Sequence, residues 1–243
     1  MSTDRGLCDR QKAYENVTRN QLCRGMPAVI RVDGKAFHTF TKGMSKPFDR
    51  LFISAMVTAA RNTAKTMQGF KIAYIQSDEA TFVLTDYDTI RTEPWFEYNI
   101  NKLVSIAAAT MSTYFNLQLP WCGGLAVFDA RAFNVPRFDL TNHLLWRAKD
   151  WSNNSLQMYC QSIFSHKQLH RKNREALHEM LHANGKNWTT DLFTDERNGT
   201  FLLNTPDEGI KCFTDVKPVF EEINKLVESV VPYIPMDKIG KGK

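Results

Sequence analysis

This 243-residue chain lacks any apolar run approaching the ~20 residues that a membrane-spanning helix requires. Its N-terminus, MSTDRGLCDRQKAYEN, also lacks the apolar core of a secretory signal. Cysteine is scarce: Cys8, Cys23, Cys122, Cys160 and Cys212 are odd in number, scattered, and free of C-x-x-C spacing. That excludes a disulfide framework and points to reduced thiols in a cytoplasmic protein without membrane partners. Glycine (12) and proline (9) are sparse, no segment is of low complexity, and no period repeats, which excludes linker-rich and solenoid architectures. An excess of one charge sign is nearly absent too. The balance of 31 Lys+Arg against 26 Asp+Glu gives +5, compatible with a polyanionic partner but not diagnostic of one. What remains, 43% hydrophobic and 23% charged residues, suffices for a well-buried core in one large or two small domains.

PAVIRVDG (27–34) alternates as a strand and stops at Gly34. KPFDRLFISAMVTAARNTAKTMQG then has helical spacing, with Asp49 as cap and Gly69 as stop. KIAYI and ATFVL form a hairpin around Gln76-Ser77-Asp78-Glu79, and a buried helix follows over 100–117. GGLAVFDARAF supplies a fourth strand around 125–128. This order is the split βαβ pattern. The predicted fold class is therefore α/β (α+β), with a palm-type, ferredoxin-like βαββαβ core, an antiparallel sheet and a helical C-terminal extension. The predicted division is a core with an N-terminal arm over 1–138, then an extension over 139–243. In the extension TNHLLWRAKD, SNNSLQMYCQSIFSHKQL, REALHEMLHANG and FEEINKLVESVV read as helices, NGTFLLN as a weaker strand, and PMDKIGKGK as a mobile tail.

On this topology the first strand lies beside the hairpin, so Asp33, Asp78 and Glu79 converge at one sheet edge. Clustered carboxylates repel and raise one another's pKa. Mg²⁺ relieves that repulsion, binding through one or two carboxylates plus substrate phosphates, and two such ions can clamp a phosphoryl transfer. Singly, Asp33-Gly34 and Ser77-Asp78 are ordinary turn pairs; together they favour a metal site. Gly34 leaves backbone open to a metal or a triphosphate.

The blocks DRQKAYEN, VIRVDGKAFHTFTKGMSKPFD, IAYIQSDEATFVL, PWFEYNINKLVS, AVFDARAFNVP and WRAKDWSNNSLQMYC, in that order, resemble the tRNA-His guanylyltransferase superfamily, closest to its Thg1-like 3′–5′ polymerase branch. The resemblance spans most of residues 9–160. It implies a homotetramer that adds nucleotides to the 5′ end of tRNA after ATP or GTP has activated that end. As metal ligands it implies Asp33, Asp78 and the Gly34 carbonyl for two Mg²⁺ ions, with Glu79 as their acidic neighbour. It places Gly34, Lys35, Ala36, Phe37, His38, Lys46, Asp49 and Ser77 at nucleoside triphosphate contacts. Lys102 and Arg131 match basic positions for triphosphate or RNA phosphate, and Arg147, Asp150 and Asn154 match a WRxxD…N block beside the active site. Two departures, Ala108-Ala109 for the family's Ala-Ser and WSNNS for HINN, favour template-dependent 5′-end repair over guanylylation of tRNA-His.

Three other signals compete for attention. HEMLH (178–182) fits the H-E-x-x-H zinc pattern, but REALHEMLH is an ordinary amphipathic helix with Leu177, Met180 and Leu181 inward. SHKQLHRKNR contains Lys167, Arg171, Lys172 and Arg174, which are candidate tRNA-backbone contacts or a solvated helix end. Trp95, Trp121, Trp146 and Trp151 read mostly as packing. A palm-type nucleotide cyclase and an inactive RNA-binding relative are the alternatives of other classes.

Overall fold

In the computed structural model the described residues are 5–89, 91–120, 123–205, 207–215, 219–220 and 222–223. Trp121, Cys122, the tail and most of FEEINKLVESVV lie outside them. Helix α1 (Arg5–Asn16) precedes β1 (Ala28–Gly34), and a single helical turn, α2 (Phe37–Phe40), leads to α3 (Arg50–Ala64). The hairpin β2 (Phe70–Gln76) and β3 (Glu79–Leu84) is followed by α4 (Ile100–Gln118) and β4 (Phe128–Asn134). The second half holds α5 (Leu140–Gln161), α6 (His166–Leu169), α7 (Arg174–Ala183), α8 (Trp188–Asp191), α9 (Thr194–Asn198), β5 (Thr200–Thr205) and β6 (Gly209–Phe213).

All six strands form one antiparallel sheet in the order β4-β1-β3-β2-β5-β6. The predicted βαββαβ core is its first four strands. Strand alternation sorts the faces. Ile30, Val32, Ala80 and Phe82 turn toward Met56 and Ala60 of α3 and Leu103, Ala107 and Phe115 of α4. Val29, Val83, Ile72 and Phe201 turn the other way, onto Leu140, Leu144 and Ala148 of α5. Each Val, Leu, Ile, Phe or Met side chain among them contributes roughly 1.5–3 kcal/mol on leaving water, so the two layers fix the sheet between them. No described helix is long and apolar enough to cross a membrane.

Several boundaries differ from expectation. Asp49 caps α3 as read, accepting from the Leu51 and Phe52 amides at 3.0 Å each, but the helix ends at Ala64, not at Gly69. Gly69 instead opens β2 with φ 76°, where a Cβ would stand 2.2 Å from the Thr85 carbonyl oxygen. The fourth strand lies at 128–134 rather than around 125–128, because Asn116 of α4 claims the preceding segment. Its side chain accepts from the Ala126 amide at 2.9 Å and donates to the Ala126 carbonyl at 2.8 Å. TNHLLWRAKD and SNNSLQMYC fuse into one 22-residue helix, α5. The extension is also not helical alone: the expected strand NGTFLLN pairs with β2, and β6 continues the sheet.

Candidate active site

Directly opposed residues of antiparallel strands share a face, so the register of β4, β1 and β3 builds three rungs on the α5 side. Val29 lies between Val83 and Phe133, Arg31 between Thr81 and Arg131, and Asp33 between Glu79 and Asp129. The last rung ends the sheet. There Gln76 and Glu79 close the hairpin, leaving Ser77 and Asp78 as its two-residue turn, with Ser77 at φ 47°. The Gly34 amide donates to the Asp78 carbonyl at 3.1 Å, locking the turn to β1. The three predicted carboxylates therefore meet, and Asp129 joins them as a fourth.

These acids are not equivalent. Burial raises the Asp33 pKa above its ordinary value, and Asp78, Glu79 and Asp129 raise it further while Arg131 opposes them. Burial also raises Asp78, with Glu79 adding to it, against hydrogen bonds from its own amide and the Ser77 hydroxyl. Glu79 is neutralised by the protein itself. Arg147 Nε and Nη2 donate to its two oxygens at 2.9 and 2.8 Å, and Arg147 Nη1 donates to Asp150 at 3.1 Å. Among the described residues no ion pair engages Asp33 or Asp78, and no three His, Cys, Asp or Glu side chains form a ready-made metal cage. Two uncompensated carboxylates are the donor set that suits Mg²⁺, which completes its shell with water and phosphate oxygens. Glu79 fits a supporting position rather than a ligand position.

Beside this corner opens a cavity of about 450 Å³, lined by Gly34, Ala36, Phe37, His38, Lys46, Asp49, Ser77 and Asp78. That volume is in the range of small-molecule sites. Trp151 and Met158 of α5 wall its far side, with Trp151 packed edge-on against Phe48 at 6.0 Å. Gly34 is required for a reason other than ligand access: a Cβ there would meet the Phe37 ring at 2.3 Å. Phe37 itself is held by Phe40, Phe52, Phe115 and Phe128, at 4.9–6.0 Å, so it is cavity floor rather than a stacking side chain. Asp49 is used as a cap. Burial alone would raise its pKa, but the Phe52, Ser45 and Leu51 amides hold the carboxyl below its ordinary value.

The remaining candidates scatter. Lys35 has an exposed side chain, and its amide donates to the Val127 carbonyl at 2.8 Å. Arg131 stands on the second rung, half-exposed, 3.9 Å from Asp129. Asn154 is exposed on α5, one turn beyond Asp150. Lys102 is not brought to the corner: it sits in the first turn of α4, at the opposite end of the sheet, with its ammonium 5.8 Å from the Phe96 ring. Lys167, Arg171 and Lys172 are exposed, as an RNA contact requires. Arg174 is tied to α5 instead, donating to Asn153 Oδ1 at 2.7 Å and lying over the Trp188 ring at 5.3 Å. The HEMLH helix buries Leu177 and Leu181, and His178 packs on Trp188. Asp129 escaped the sequence reading because the fourth strand was placed too early. Once FDARAFN is the strand, alternation puts Asp129 and Arg131 on the face of Asp33.

Residues 8–136 match the family profile of Thg1, described as tRNAHis guanylyltransferase. Over 154 residues the chain is 32% identical to the tRNA(His) guanylyltransferase of Schizosaccharomyces pombe, covering 60% of this chain and 56% of that one. Over 139 residues it is 32% identical to the Neurospora crassa enzyme of the same name, covering 53% and 46%. The chain thus spans about half the length of the curated relatives it matches. A bacterial tRNA(HIS) guanylyltransferase (Thg1)-like protein solved in complex with ATP is similar over 94% of this chain and 100% of that one, at 32% identity and a TM-score of 0.85. A GTP complex of such a protein has 29% identity and a TM-score of 0.75 over 93% and 99%.

Proposed function

Because the chain belongs to the tRNAHis guanylyltransferase (Thg1) family, we propose that it is a metal-dependent nucleotidyltransferase that extends the 5′ end of tRNA in the 3′–5′ direction. In this reading it acts as a cytoplasmic homotetramer on 5′-truncated tRNA, taking ATP or GTP to activate the end and pairing each added nucleotide with the opposite strand. The observation that carries it is the Asp33–Asp78 corner opening onto a cavity of nucleotide size.

Asp33, Asp78 and the Gly34 carbonyl would hold two Mg²⁺ ions, which supply charge neutralisation at the reacting phosphates when bound. The chain's own groups do the positioning. Lys46 brings a cation to the triphosphate side of the cavity, and Ala36 to His38 form its rim. Arg147 holds the Glu79 carboxylate in a fixed position beside Asp33. Activation joins a 5′-phosphate oxygen to the α-phosphorus of ATP or GTP and releases pyrophosphate. The 3′-hydroxyl of the incoming triphosphate then attacks the 5′-phosphate, displacing the nucleoside monophosphate and losing its proton. Both steps are in the main positioning and charge neutralisation.

A second reading, addition of a single G to tRNA-His, is favoured by the names of the similar eukaryotic proteins. One assay separates them: a 5′-labelled tRNA lacking its first nucleotide, with Mg²⁺, ATP and each nucleoside triphosphate in turn. Extension only by the pairing nucleotide supports repair. Extension of full-length tRNA-His by G alone supports guanylylation, and no extension with any nucleotide removes both.

A further inference from the structure

A second cavity opens at the other end of the sheet, away from the carboxylate corner. It measures about 540 Å³ and shares no lining residue with the first. Strand β2 joins the two, with Lys71 lining the distal cavity and Gln76 the proximal one, about 17 Å apart along an extended chain. Helix α3 joins them as well, from Phe52 at one cavity to Arg61 at the other.

The polar wall of the distal cavity is basic. Arg61 lies in the last turn of α3, Lys65 directly follows that helix, and Lys71 stands on β2. Against these three cations the lining holds one acid, Asp88. Ordinary structural reasons cover two of the three. Lys65 sits at the C-terminal end of α3, where the helix dipole favours a cation, and Lys71 Nζ pairs with Asp88 at 2.7 Å. Arg61 has no such reason. Its partners are uncharged: the Ile210 carbonyl, to which Nη1 donates at 3.3 Å, and the Cys212 thiol. Among the described residues no acid pairs with Arg61 or with Lys65.

These cations are not simply solvated side chains at the surface. The Lys71 side chain is only 18% exposed, and Arg61 is half-buried. Beside them the wall is apolar, through Met67, Phe70 and Ile210. A cleft with low-dielectric walls and charge of one sign focuses its field on an arriving counter-ion. A guanidinium held at one end by a carbonyl keeps its remaining N–H groups for an oxyanion, which it can grip at two points, while the ammonium groups add point charges.

We propose that this distal cavity binds a diphosphate, as free pyrophosphate or as the phosphate tail of a nucleoside diphosphate, on Arg61, Lys65 and Lys71. The site uses none of the residues of the nucleotidyltransferase reading and stands independently of it.

The test is calorimetric titration of pyrophosphate, ADP and citrate into the full chain in EDTA, where the metal-free carboxylate corner repels phosphate. The wild type binds one equivalent of pyrophosphate and binds citrate more weakly. Arg61→Gln weakens pyrophosphate binding about tenfold, and Lys65→Gln weakens it by a smaller factor. Asp88→Asn frees Lys71 and tightens binding, a gain that a damaged fold does not produce. Equal affinities for pyrophosphate and ADP assign the site to the free anion; a tighter ADP with the same dependence on Arg61 and Asp88 assigns it to the nucleotide. No binding of either, citrate matching pyrophosphate, or an affinity indifferent to both Lys65→Gln and Asp88→Asn overturns the site. So does a loss in Lys65→Gln that appears only with an acceptor-stem RNA, which makes this wall an RNA contact instead.

Discussion

Two nitrogens of Arg147 close on both oxygens of Glu79, and this fork ties helix α5 to the β2–β3 hairpin across 68 residues of sequence. The side chains are only 9% and 12% exposed. The pair therefore stands between a surface bridge, which contributes little, and a buried one, whose disruption strands a charge.

Removing one partner is accordingly the severe change. Arg147→Ala should destabilise the chain by about 3–5 kcal/mol, lowering the melting temperature by roughly ten degrees for a chain of this size. Arg147→Lys cannot fork and should fall between the two. Replacing both partners together, as Glu79→Gln with Arg147→Met, should recover most of the loss. Thermal melts of the four proteins check this, and an unaltered Arg147→Ala melt would show the fork to be structurally idle.

The corner carboxylates should behave in the opposite sense. Asp33 and Asp78 repel each other and Glu79 without an ion-paired cation, so Asp33→Asn or Asp78→Asn should raise the metal-free melting temperature by a few degrees. Each should also remove the stabilisation that Mg²⁺ gives the wild type and cut nucleotide addition on the order of a hundredfold or more. Melts with and without Mg²⁺, alongside the addition assay, read both effects.

Asp49 makes a pH prediction. Its carboxyl is held below the ordinary value by the α3 cap, so its contribution is present above the unfolded value near ~4 and is lost as pH falls through the depressed native one. Asp49→Ala should cost about 1 kcal/mol at neutral pH and progressively less in acid. Urea unfolding at neutral and acidic pH measures the convergence of the two proteins.

Lys172 and Arg174 lie two residues apart in one basic run, yet they should fail differently. Lys172 is exposed, so Lys172→Ala should weaken RNA binding with a salt slope reduced by about one and an unchanged melt. Arg174 ties α7 to α5 through Asn153 and lies over the Trp188 ring of α8. Arg174→Ala should lower the melting temperature, with little change in salt slope.

The legible part of this protein was its local part. Alternation in AVIRV and ATFVL, the helical spacing after Asp49, and the βαββαβ order are enough to bring Asp33 to the hairpin. What escaped depends on long-range pairing. The apolar AVF in GGLAVFDARAF draws the fourth strand too early, since nothing local announces that Asn116 holds Ala126. With the strand misplaced, Asp129 and the opposed arginines of the second rung could not be seen. Glu79 meeting Arg147 joins two segments whose patterns are silent about each other. Lys102, which the resemblance assigns to triphosphate or RNA phosphate, lies away from the corner, because helix α4 returns from the far end of the sheet and carries it in its first turn.

The pairing of β2 with β5 also has a bearing on how the chain is made. Strand β2 ends at Gln76, and its second neighbour begins at Thr200. During synthesis one side of the central hairpin therefore keeps a row of unsatisfied amides and carbonyls until more than half of the protein has followed it from the ribosome. An open strand in that interval is a template for foreign pairing. Strand β2 carries Lys71, and a charged side chain on an open strand discourages such pairing while the nascent chain awaits its own last hairpin.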